Sequence, residues 1–306
     1  MHKIVTFTKS KGYDHCLECL QKHEAIKAAT KNLSSVRSFV VAESELKALQ
    51  KLLGKTRFRV SNEVKVRLHM ADEVPWGVKQ IGAERYWKTT KGQGIKVAVI
   101  DTGISRKHPD LSGQVKKRVS FVSGKELGGH GTHVAGTIAA VANNSGIVGV
   151  APKVELYDIR AFGSDGTANI SDIVQGINWA IENKMDVINM SFGTTEDNFA
   201  LRNAIRQASD AGIILVASAG NNGGSLEFPA AYRGVISVGA SDKDGKLAEF
   251  SSRGRGLDTV APGVKIKSTW LKNGYKELDG TSMAAAHVSG LQALQLAEKR
   301  SRQKKK

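Results

Sequence analysis

The stretch IKVAVIDTG, residues 95–103, decides the fold class of this chain. Its first six residues form a short run that is almost wholly apolar, which is typical of a strand buried on both faces of a parallel sheet. Four later segments have the same character: VELYDIRAF, MDVINMSF, GIILVASAG and GVISVGAS. Segments with helical spacing separate them: HVAGTIAAVA, ISDIVQGINWAIENK and FALRNAIRQASDAG. This alternation predicts an α/β domain with a parallel central sheet and helices on both faces.

Residues 1–70 have a different pattern, and the character of the chain changes after VPWG at residues 74–77. KIVTF and VRSFVVA predict strands, residues 13–31 have helical spacing, and ESELKALQKLLG predicts an amphipathic helix ending on Gly54. RFRVSNEVKVRLHM adds a further extended pattern. The order β-α-β-α-β is compatible with a small ferredoxin-like α+β unit.

The net charge of +16 over 306 residues lies at the two ends of the chain. Residues 1–70 contain ten Lys and four Arg against six acidic residues, and residues 299–306, KRSRQKKK, contain six basic residues. The long middle is nearly neutral, so a nucleic-acid partner is not expected. The basic tail is expected to be a solvated, frayed terminus.

Neither a membrane partner nor export is indicated by the sequence. No run reaches the ~18 apolar residues of a membrane span, and the N-terminus has no apolar run typical of a signal peptide. The compartment therefore stays open, since secreted and intracellular locations both remain. The cysteines, Cys16 and Cys19, stand in a lone C-x-x-C, which is a weak zinc or redox signal, and we interpret them as two ordinary thiols.

Polar residues gather where the predicted strands and helices begin or end. Asp101 follows the first strand, Asn221 follows GIILVASAG, and His130 and Ser282 each begin a helix. Singly, each has an ordinary interpretation as a turn former, a cap or a structural hydrogen bonder. Likewise GTSMAAAHVSG, residues 280–290, taken alone favours close helix packing. In parallel α/β sheets, however, working residues gather beyond the carboxyl ends of the strands, so these side chains are expected to converge.

Five motifs, in order along the chain, resemble those of the subtilisin-like serine proteases: DTGI, HGTHVAGT, MSFG, SAGNNG and GTSMAAAHVSG. The resemblance covers residues 71 to about 298, and residues 1–70 resemble the family's pro-segment less specifically. It implies a three-layer subtilisin-like catalytic domain over 71–298 and a basic tail over 299–306. It also implies a serine endopeptidase made as a self-processing zymogen, with the pro-segment acting as a folding assistant and an intramolecular inhibitor.

The resemblance implies a role for each polar residue. Ser282 would be the nucleophile, His130 its general base and Asp101 the group that orients His130. These roles suit the chemistry, because an alcohol needs a base and a histidine with a pKa near ~6.5 can take and return a proton. The Asn221 amide and the Ser282 backbone N–H would donate to the oxyanion. His133 matches no catalytic position and is expected to be structural.

Substrate would bind as an extended strand along Ser191-Phe192-Gly193 and the segment near Phe162 to Ile170, with broad specificity. By the resemblance, Ile170, Ile173 and Phe192 would line an apolar pocket four residues before the cut, although ordinary core is an equally good interpretation of Ile173. Glu227 would lie near the floor of the pocket for the residue just before the cut. We expect Glu227 to widen acceptance toward Lys or Arg beside large apolar residues.

A calcium site and a processing site are also implied by the resemblance. The calcium ligands would be Asp110, Asn143 and the backbone carbonyls of Val141, Ser145 and Ile147, and Asp72 stands where many relatives supply Gln. Oxygen donors of these kinds suit Ca²⁺. Processing would fall between Met70 and Ala71. Because Arg67 fits an apolar pocket poorly, cleavage after Leu68 is the alternative.

Two departures from the family pattern leave a second function open. Ala286 stands where relatives usually have Pro, and an Ala N–H restores a helix hydrogen bond that can shift Ser282. Only 24 residues follow Ser282, whereas relatives generally continue through further elements. The alternative is therefore a catalytically impaired binding or scaffold protein with the subtilase fold. For an active enzyme, the expected partners are protein and peptide substrates, and the expected state is a monomer.

Overall fold

The computed structural model describes residues 2–64, 71–124 and 127–303. The chain divides into two compact units, Met1–His69 and Met70–Lys306. Met70 of the predicted processing site, and the alternative at Leu68, lie outside the described residues.

The first unit is an antiparallel sheet with helices. Its elements are strands His2–Thr6 (β1), Thr30–Leu33 (β2), Ser38–Ala42 (β3) and Arg59–Asn62 (β4), and helices Ser10–Gln21 (α1), Glu24–Ala28 (α2) and Glu43–Leu53 (α3). The strand order β2-β3-β1-β4 is that of a ferredoxin-like fold. Strand β2 was not predicted from the sequence, and its first residues were assigned to the helical segment 13–31. The reason is that TKNL carries almost no apolar alternation.

The two thiols of this unit lie in different environments on α1. Cys16 is fully buried in the apolar core beside residues such as Phe7 and Phe39, and Cys19 is half-buried. Burial raises the pKa of the Cys16 thiol to about 12, and the neighbouring Cys19 adds to the rise. Cys16 is therefore an unreactive core residue at neutral pH.

The second unit contains the strands and helices expected of an α/β domain. The strands are Lys96–Asp101 (β5), Val115–Ser120 (β6), Glu155–Arg160 (β7), Val187–Met190 (β8), Ile214–Ser218 (β9), Val235–Ser241 (β10), Thr259–Pro262 (β11), Ile266–Thr269 (β12) and Tyr275–Leu278 (β13). The helices are Trp76–Gln80 (α4), Ala83–Trp87 (α5), Gly129–Ala139 (α6), Ile170–Glu182 (α7), Phe199–Asp210 (α8) and Thr281–Gln303 (α9).

Seven of these strands form a parallel sheet in the order β11-β10-β9-β8-β5-β7-β6, and β12 and β13 form an antiparallel hairpin. Alternate residues of β5 pack into two different cores. Val97 and Val99 join the core that contains α6 and α9, whereas Ala98 and Ile100 join the core that contains α7 and α8. The predicted three-layer arrangement, with a sheet buried on both faces, is thereby confirmed.

The strand order places a switch point at β5. From β5 the chain passes to β6 at one edge of the sheet and comes back to β7 beside β5, and it then crosses to β8 on the other side of β5 and runs outward through β9, β10 and β11. A crevice opens where the direction of winding reverses, beyond the carboxyl ends of the central strands. The carboxyl ends of β5 and β8, at Asp101 and Met190, lie side by side there.

Helix α9 is longer than the sequence suggested. It continues to Gln303, with ion pairs from Arg300 to Asp186 and from Arg302 to Glu298, so the expected fraying of the basic end is wrong for residues 299–303. Its first turns are packed tightly: Ala286 is fully buried, and a Cβ on Gly290 would lie 2.6 Å from the Val150 Cβ. Among the described residues, no helix combines the length and apolarity that a membrane crossing needs.

Candidate active site

Asp101 and His130 form a hydrogen-bonded pair at the crevice. Asp101 is the last residue of β5, and His130 is the second residue of α6. The His130 Nδ1 lies 2.9 Å from each carboxylate oxygen of Asp101. Because a carboxylate only accepts hydrogen bonds, Nδ1 carries the proton and the neutral ring leaves Nε2 as an acceptor.

The pair can form because the start of α6 approaches the end of β5 closely. A Cβ on Gly131 would lie 2.7 Å from the Gly103 carbonyl and 3.0 Å from Asp101 Oδ1, so only glycine fits there. The Gly131 N–H donates to the Thr102 hydroxyl, and the Thr102 N–H donates to Asp101 Oδ1 at 2.7 Å. These bonds hold a carboxylate that is only 4% exposed.

The pKa of His130 reflects two opposing effects. Burial, the larger single effect, lowers it, but the charge of Asp101 and the hydrogen bond to that carboxylate together outweigh burial. The pKa of His130 therefore lies above the ordinary histidine value, and Asp101 stabilises the protonated ring.

Ser282 lies across the crevice as the second residue of α9. Its hydroxyl donates to the Ser191 carbonyl at 3.0 Å, while the Ser191 hydroxyl donates to the Ser282 carbonyl at 2.9 Å. The first N–H groups of a helix have no partner within the helix, and the Ser282 N–H has no acceptor among the described residues. Ser282 thus combines a hydroxyl with a free backbone donor.

The Asn221 side chain has a defined orientation beside Ser282. Its Oδ1 accepts from both the backbone N–H and the hydroxyl of Thr281, each at 2.9 Å. The Nδ2 group is therefore turned away from Thr281, and it has no acceptor within the described part of the chain. Two N–H donors, from Asn221 and Ser282, are available for a ligand oxygen.

His133 lies on the same helix as His130 but has a different environment. It is fully buried, and its Nε2 lies 2.9 Å from the Ile266 carbonyl and 3.0 Å from the Lys276 carbonyl. Burial lowers the pKa of His133 to about 4. These contacts tie α6 to the β12–β13 hairpin, in line with the structural role expected from the sequence.

The predicted catalytic residues and part of the predicted substrate-binding set line one open cavity of about 340 Å³. Its walls contain Asp101, His130, Ser282 and Asn221 together with residues of the predicted substrate strand: Phe162, Ser191, Phe192 and Gly193. The Phe162 and Phe192 rings lie 5.0 Å apart and make one wall apolar. Ile170 and Ile173 are not among the lining residues, and Ile173, 4% exposed, packs in the core around α7.

Glu227 lies in the wall of the same cavity. Two glycines make room for it: a Cβ on Gly193 or Gly220 would lie 2.2 Å or 2.6 Å from the Glu227 side chain. Asn222 Nδ2 donates to Glu227 Oε1 at 3.0 Å. Partial burial raises the pKa of Glu227.

The residues of the predicted calcium site also come together, away from this cavity. The fully buried Asp110 accepts hydrogen bonds from the Asn143 side chain at 3.2 Å, the Ile147 N–H at 2.9 Å and the Tyr275 hydroxyl at 2.8 Å. Asp72 accepts from the backbone N–H groups of residues 143 and 145. The Val141 N–H donates to the Asp110 carbonyl.

The donor set of this cluster suits a hard cation. Two carboxylates and an amide lie around one loop, and Asp110 has no cationic partner among the described residues. Within the described ranges, no three His, Cys, Asp or Glu side chains are arranged so that they could hold a metal ion, so a cation here would depend on amide and carbonyl oxygens as well.

Some contributors to the site carried only a weak signal in the sequence. Thr281 orients the Asn221 amide, and Asn189 and Ser289 lie in a buried hydrogen-bonded chain that reaches Ser191. Thr281 was detectable only as the neighbour of Ser282. Asn189 was detectable only as a polar residue inside an otherwise apolar strand.

Comparison with known proteins agrees with this geometry. The sequence profile of the subtilase family matches residues 92–305. M-protease of Shouchella clausii is 46% identical over 231 residues, which cover 74% of this chain and 60% of that protein. Subtilisin Savinase of Lederbergia lenta is 45% identical over 230 residues, which cover 73% of this chain and 84% of that protein. A thermostable alkaline protease of Halalkalibacterium halodurans is 41% identical over 260 residues, which cover 83% of this chain and 70% of that protein.

The match spans about 60% of the length of M-protease and of two alkaline proteases with similar identity. The family profile nonetheless covers most of the present chain and includes β5, α6 and α9, on which Asp101, His130 and Ser282 lie. The chain belongs to the subtilase family.

Proposed function

We propose that this protein is a serine endopeptidase that cleaves peptide bonds through an acyl-enzyme. The observation that carries the proposal is the Asp101–His130 pair lining the same cavity as the Ser282 hydroxyl and two free N–H donors. Its relatives in the subtilase family include proteins named as proteases, which supports the same activity.

In the proposed reaction the Ser282 hydroxyl turns from the Ser191 carbonyl toward His130 Nε2. Such a turn would be a rotation about the Ser282 Cα–Cβ bond between staggered positions. His130 takes the proton as Ser282 Oγ attacks the carbonyl carbon, and then returns it to the leaving amine. Asp101 keeps the proton on Nδ1 and stabilises the imidazolium that forms. Water then repeats the sequence on the acyl-enzyme, and the serine is regenerated.

The tetrahedral intermediate carries negative charge on the former carbonyl oxygen. Asn221 Nδ2 and the Ser282 N–H would donate to it, and the N-terminus of α9 would add a favourable dipole. Because Thr281 and the helix already hold these donors, little reorganisation is needed when the charge develops.

Substrate would lie as an extended strand on Ser191-Phe192-Gly193. The Phe162 and Phe192 rings favour apolar side chains, and we propose that Glu227 also admits Lys or Arg just before the cut. Peptides that differ only at that position test this, with Glu227→Gln as the isosteric control. We expect the preference for Lys over Leu to fall in the variant. An unchanged Lys-to-Leu ratio of kcat/KM would remove Glu227 from this role.

We also propose a structural Ca²⁺ held by Asp110, Asn143, Asp72 and the carbonyls of Val141, Ser145 and Ile147. Bound calcium would supply no chemistry to the reaction; it would stabilise the folded state by binding to that state alone. The support is the convergence of two carboxylates and an amide, and the buried position of Asp110. Excess chelator should lower the melting temperature, and an unchanged melt would contradict a calcium site.

The first unit would act as a pro-segment that assists folding, inhibits the enzyme and is removed by the enzyme itself. The support is its position before the subtilase match. N-terminal sequencing tests this: wild-type chains should begin at or near Ala71, and Ser282→Ala chains at residue 1. Identical N-termini in both proteins would show that Ser282 does not perform the cleavage.

Hydrolysis of a peptide library by purified protein tests the endopeptidase itself. Wild-type protein should cleave internal peptide bonds, and Ser282→Ala should not. Ser237→Ala is a suitable control, because Ser237 is also buried and hydrogen-bonded but lies near the amino end of β10. A folded wild-type protein that cleaves nothing would favour the alternative, a binding or scaffold protein with the subtilase fold.

A further inference from the structure

A buried chain of hydrogen bonds joins α9 to β8 behind the candidate nucleophile. The Ser289 hydroxyl donates to Asn189 Oδ1 at 2.8 Å, and Asn189 Nδ2 donates to the Ser191 hydroxyl at 2.9 Å. The Ser191 hydroxyl then donates to the Ser282 carbonyl at 2.9 Å. The chain therefore begins on α9, crosses to β8 and returns to α9.

The spacing of the two serines explains why one strand can hold both. Ser282 and Ser289 are seven residues apart, which is two helical turns, so they lie on the same face of α9. Asn189 is the third residue of β8 and faces α9 between them. Both Asn189 and Ser289 are fully excluded from solvent. The two attachments fix the position of α9 along its own axis relative to β8.

The chain also has a fixed direction. Asn189 Oδ1 accepts from Ser289, so the amide is oriented with Nδ2 toward Ser191. Since Nδ2 can only donate, the Ser191 oxygen accepts, and its own proton is directed to the Ser282 carbonyl. Ser289 thus determines, through Asn189, which way the Ser191 hydroxyl points. Buried polar chains of this kind favour a single arrangement when every member is satisfied.

We propose that Asn189 and Ser289 are positioning residues for Ser282: they hold the first turns of α9 so that the Ser282 Oγ stands within reach of His130. Neither residue lines the cavity or touches substrate. This inference rests on the proposed endopeptidase function. It predicts that the two residues act on turnover through Ser191, and not through the overall stability of the fold.

The experiment measures kcat, KM and the melting temperature for Ser289→Ala, Ser191→Ala, the double variant of these two, and Ser237→Ala as a stability control. A displacement of about 1 Å at a reacting atom can slow a reaction on the order of a hundredfold, and we expect a smaller shift here. Ser289→Ala should lower kcat about tenfold and leave KM within about twofold. Ser237→Ala should lower the melting temperature without lowering kcat.

The double variant separates positioning from packing. If Ser289 acts through Asn189 and Ser191, adding Ser289→Ala to Ser191→Ala should leave kcat unchanged. Asn189→Asp provides a second test, because a carboxylate still accepts from Ser289 but cannot donate to Ser191. It should lower kcat at least as far as Ser289→Ala does.

Two results would overturn the inference. One is a kcat of Ser289→Ala within twofold of wild type, and the other is a double variant in which the two effects multiply. A wild-type protein that is folded but hydrolyses no peptide would overturn the proposed function together with this inference. An active wild type with an unaffected Ser289→Ala would overturn this inference alone.

Discussion

Thr281→Val tests how Asn221, the proposed oxyanion donor, is held. Valine has nearly the shape of threonine but lacks the hydroxyl that donates to Asn221 Oδ1 at 2.9 Å. The backbone N–H of residue 281 still donates to the same oxygen at 2.9 Å. The Asn221 amide therefore keeps one of its two attachments, and it can swing away from the position where the oxyanion forms.

The magnitude follows from the loss of one hydrogen bond. A buried neutral hydrogen bond contributes about 1 kcal/mol. If that energy is lost from the transition state, turnover falls about fivefold. In subtilisin, removal of the corresponding amide donor itself costs about 10²–10³ in turnover, a known property of this family that sets an upper bound. The effect should appear in kcat with little change in KM, because the donor acts only on the developing charge.

Thr281→Val should also lower the free energy of unfolding, through the backbone N–H of Gly220. The buried Gly220 N–H donates to the Thr281 hydroxyl at 3.3 Å and would lose its acceptor, which costs about 1–3 kcal/mol. In a unit of this size, 1 kcal/mol corresponds to a shift of about 2–4 °C in melting temperature.

The assay combines steady-state kinetics on a peptide substrate with thermal unfolding. Thr281→Ser is the matched control, since it keeps the hydroxyl and should retain kcat near the wild-type value. A Thr281→Val protein with wild-type kcat would refute the role of Thr281. So would a Thr281→Ser protein impaired as strongly as Thr281→Val.

Three further predictions concern charge and metal. Because Asp101 raises the pKa of His130, kcat/KM should fall as pH decreases through a value above the ordinary histidine pKa of 6.5. Asp101→Asn should move this acid limb of the pH profile to lower pH. An acid limb that stays in place would contradict the Asp101–His130 pairing. Chelator should lower the melting temperature of wild type but not of Asp110→Asn, and equal responses of the two proteins would exclude Asp110 as a ligand. His133 and His287 are buried and neutral, with burial lowering the pKa of each to about 4 from 6.5. Between these pH values the unfolded chain binds more protons, so the free energy of unfolding should fall as pH decreases, by at most on the order of 3 kcal/mol for each histidine. In urea titrations His287→Gln should show a weaker pH dependence over this range, and an unchanged slope would rule out His287 as a source.

The sequence predicted five of the seven strands of the central sheet. Strands β5, β8, β9 and β10 are short and mostly apolar, because a strand covered on both faces buries both sets of its alternating side chains. Strand β7, ELYDIR, was predicted although three of its six residues are charged. By contrast, β6 reads VKKRVS and was missed, since it lies at the sheet edge where charged residues meet solvent. The β12–β13 hairpin was missed for a similar reason, because YKEL carries mostly exposed polar residues.

The part of the site that was predictable from the sequence consists of the residues whose side-chain type the proposed chemistry requires. Asp101, His130, Asn221 and Ser282 were identified from their motifs, and the structure brings them to one cavity. The residues that orient them were not identifiable, because the roles of Thr281, Asn189 and Ser289 depend on contacts between segments distant in the chain. The resting hydrogen bond from Ser282 to the Ser191 carbonyl likewise depends on how close α9 lies to the end of β8.

Covalent labelling of Ser282 tests the central claim most directly. A serine-directed fluorophosphonate reacts only when the hydroxyl is activated by a base, and intact mass counts the adducts. We predict a single adduct on wild-type protein, located at Ser282 by peptide mapping, no adduct on Ser282→Ala and strongly slowed labelling of His130→Ala. A folded wild-type protein that does not label would contradict the claim, as would labelling that persists in Ser282→Ala.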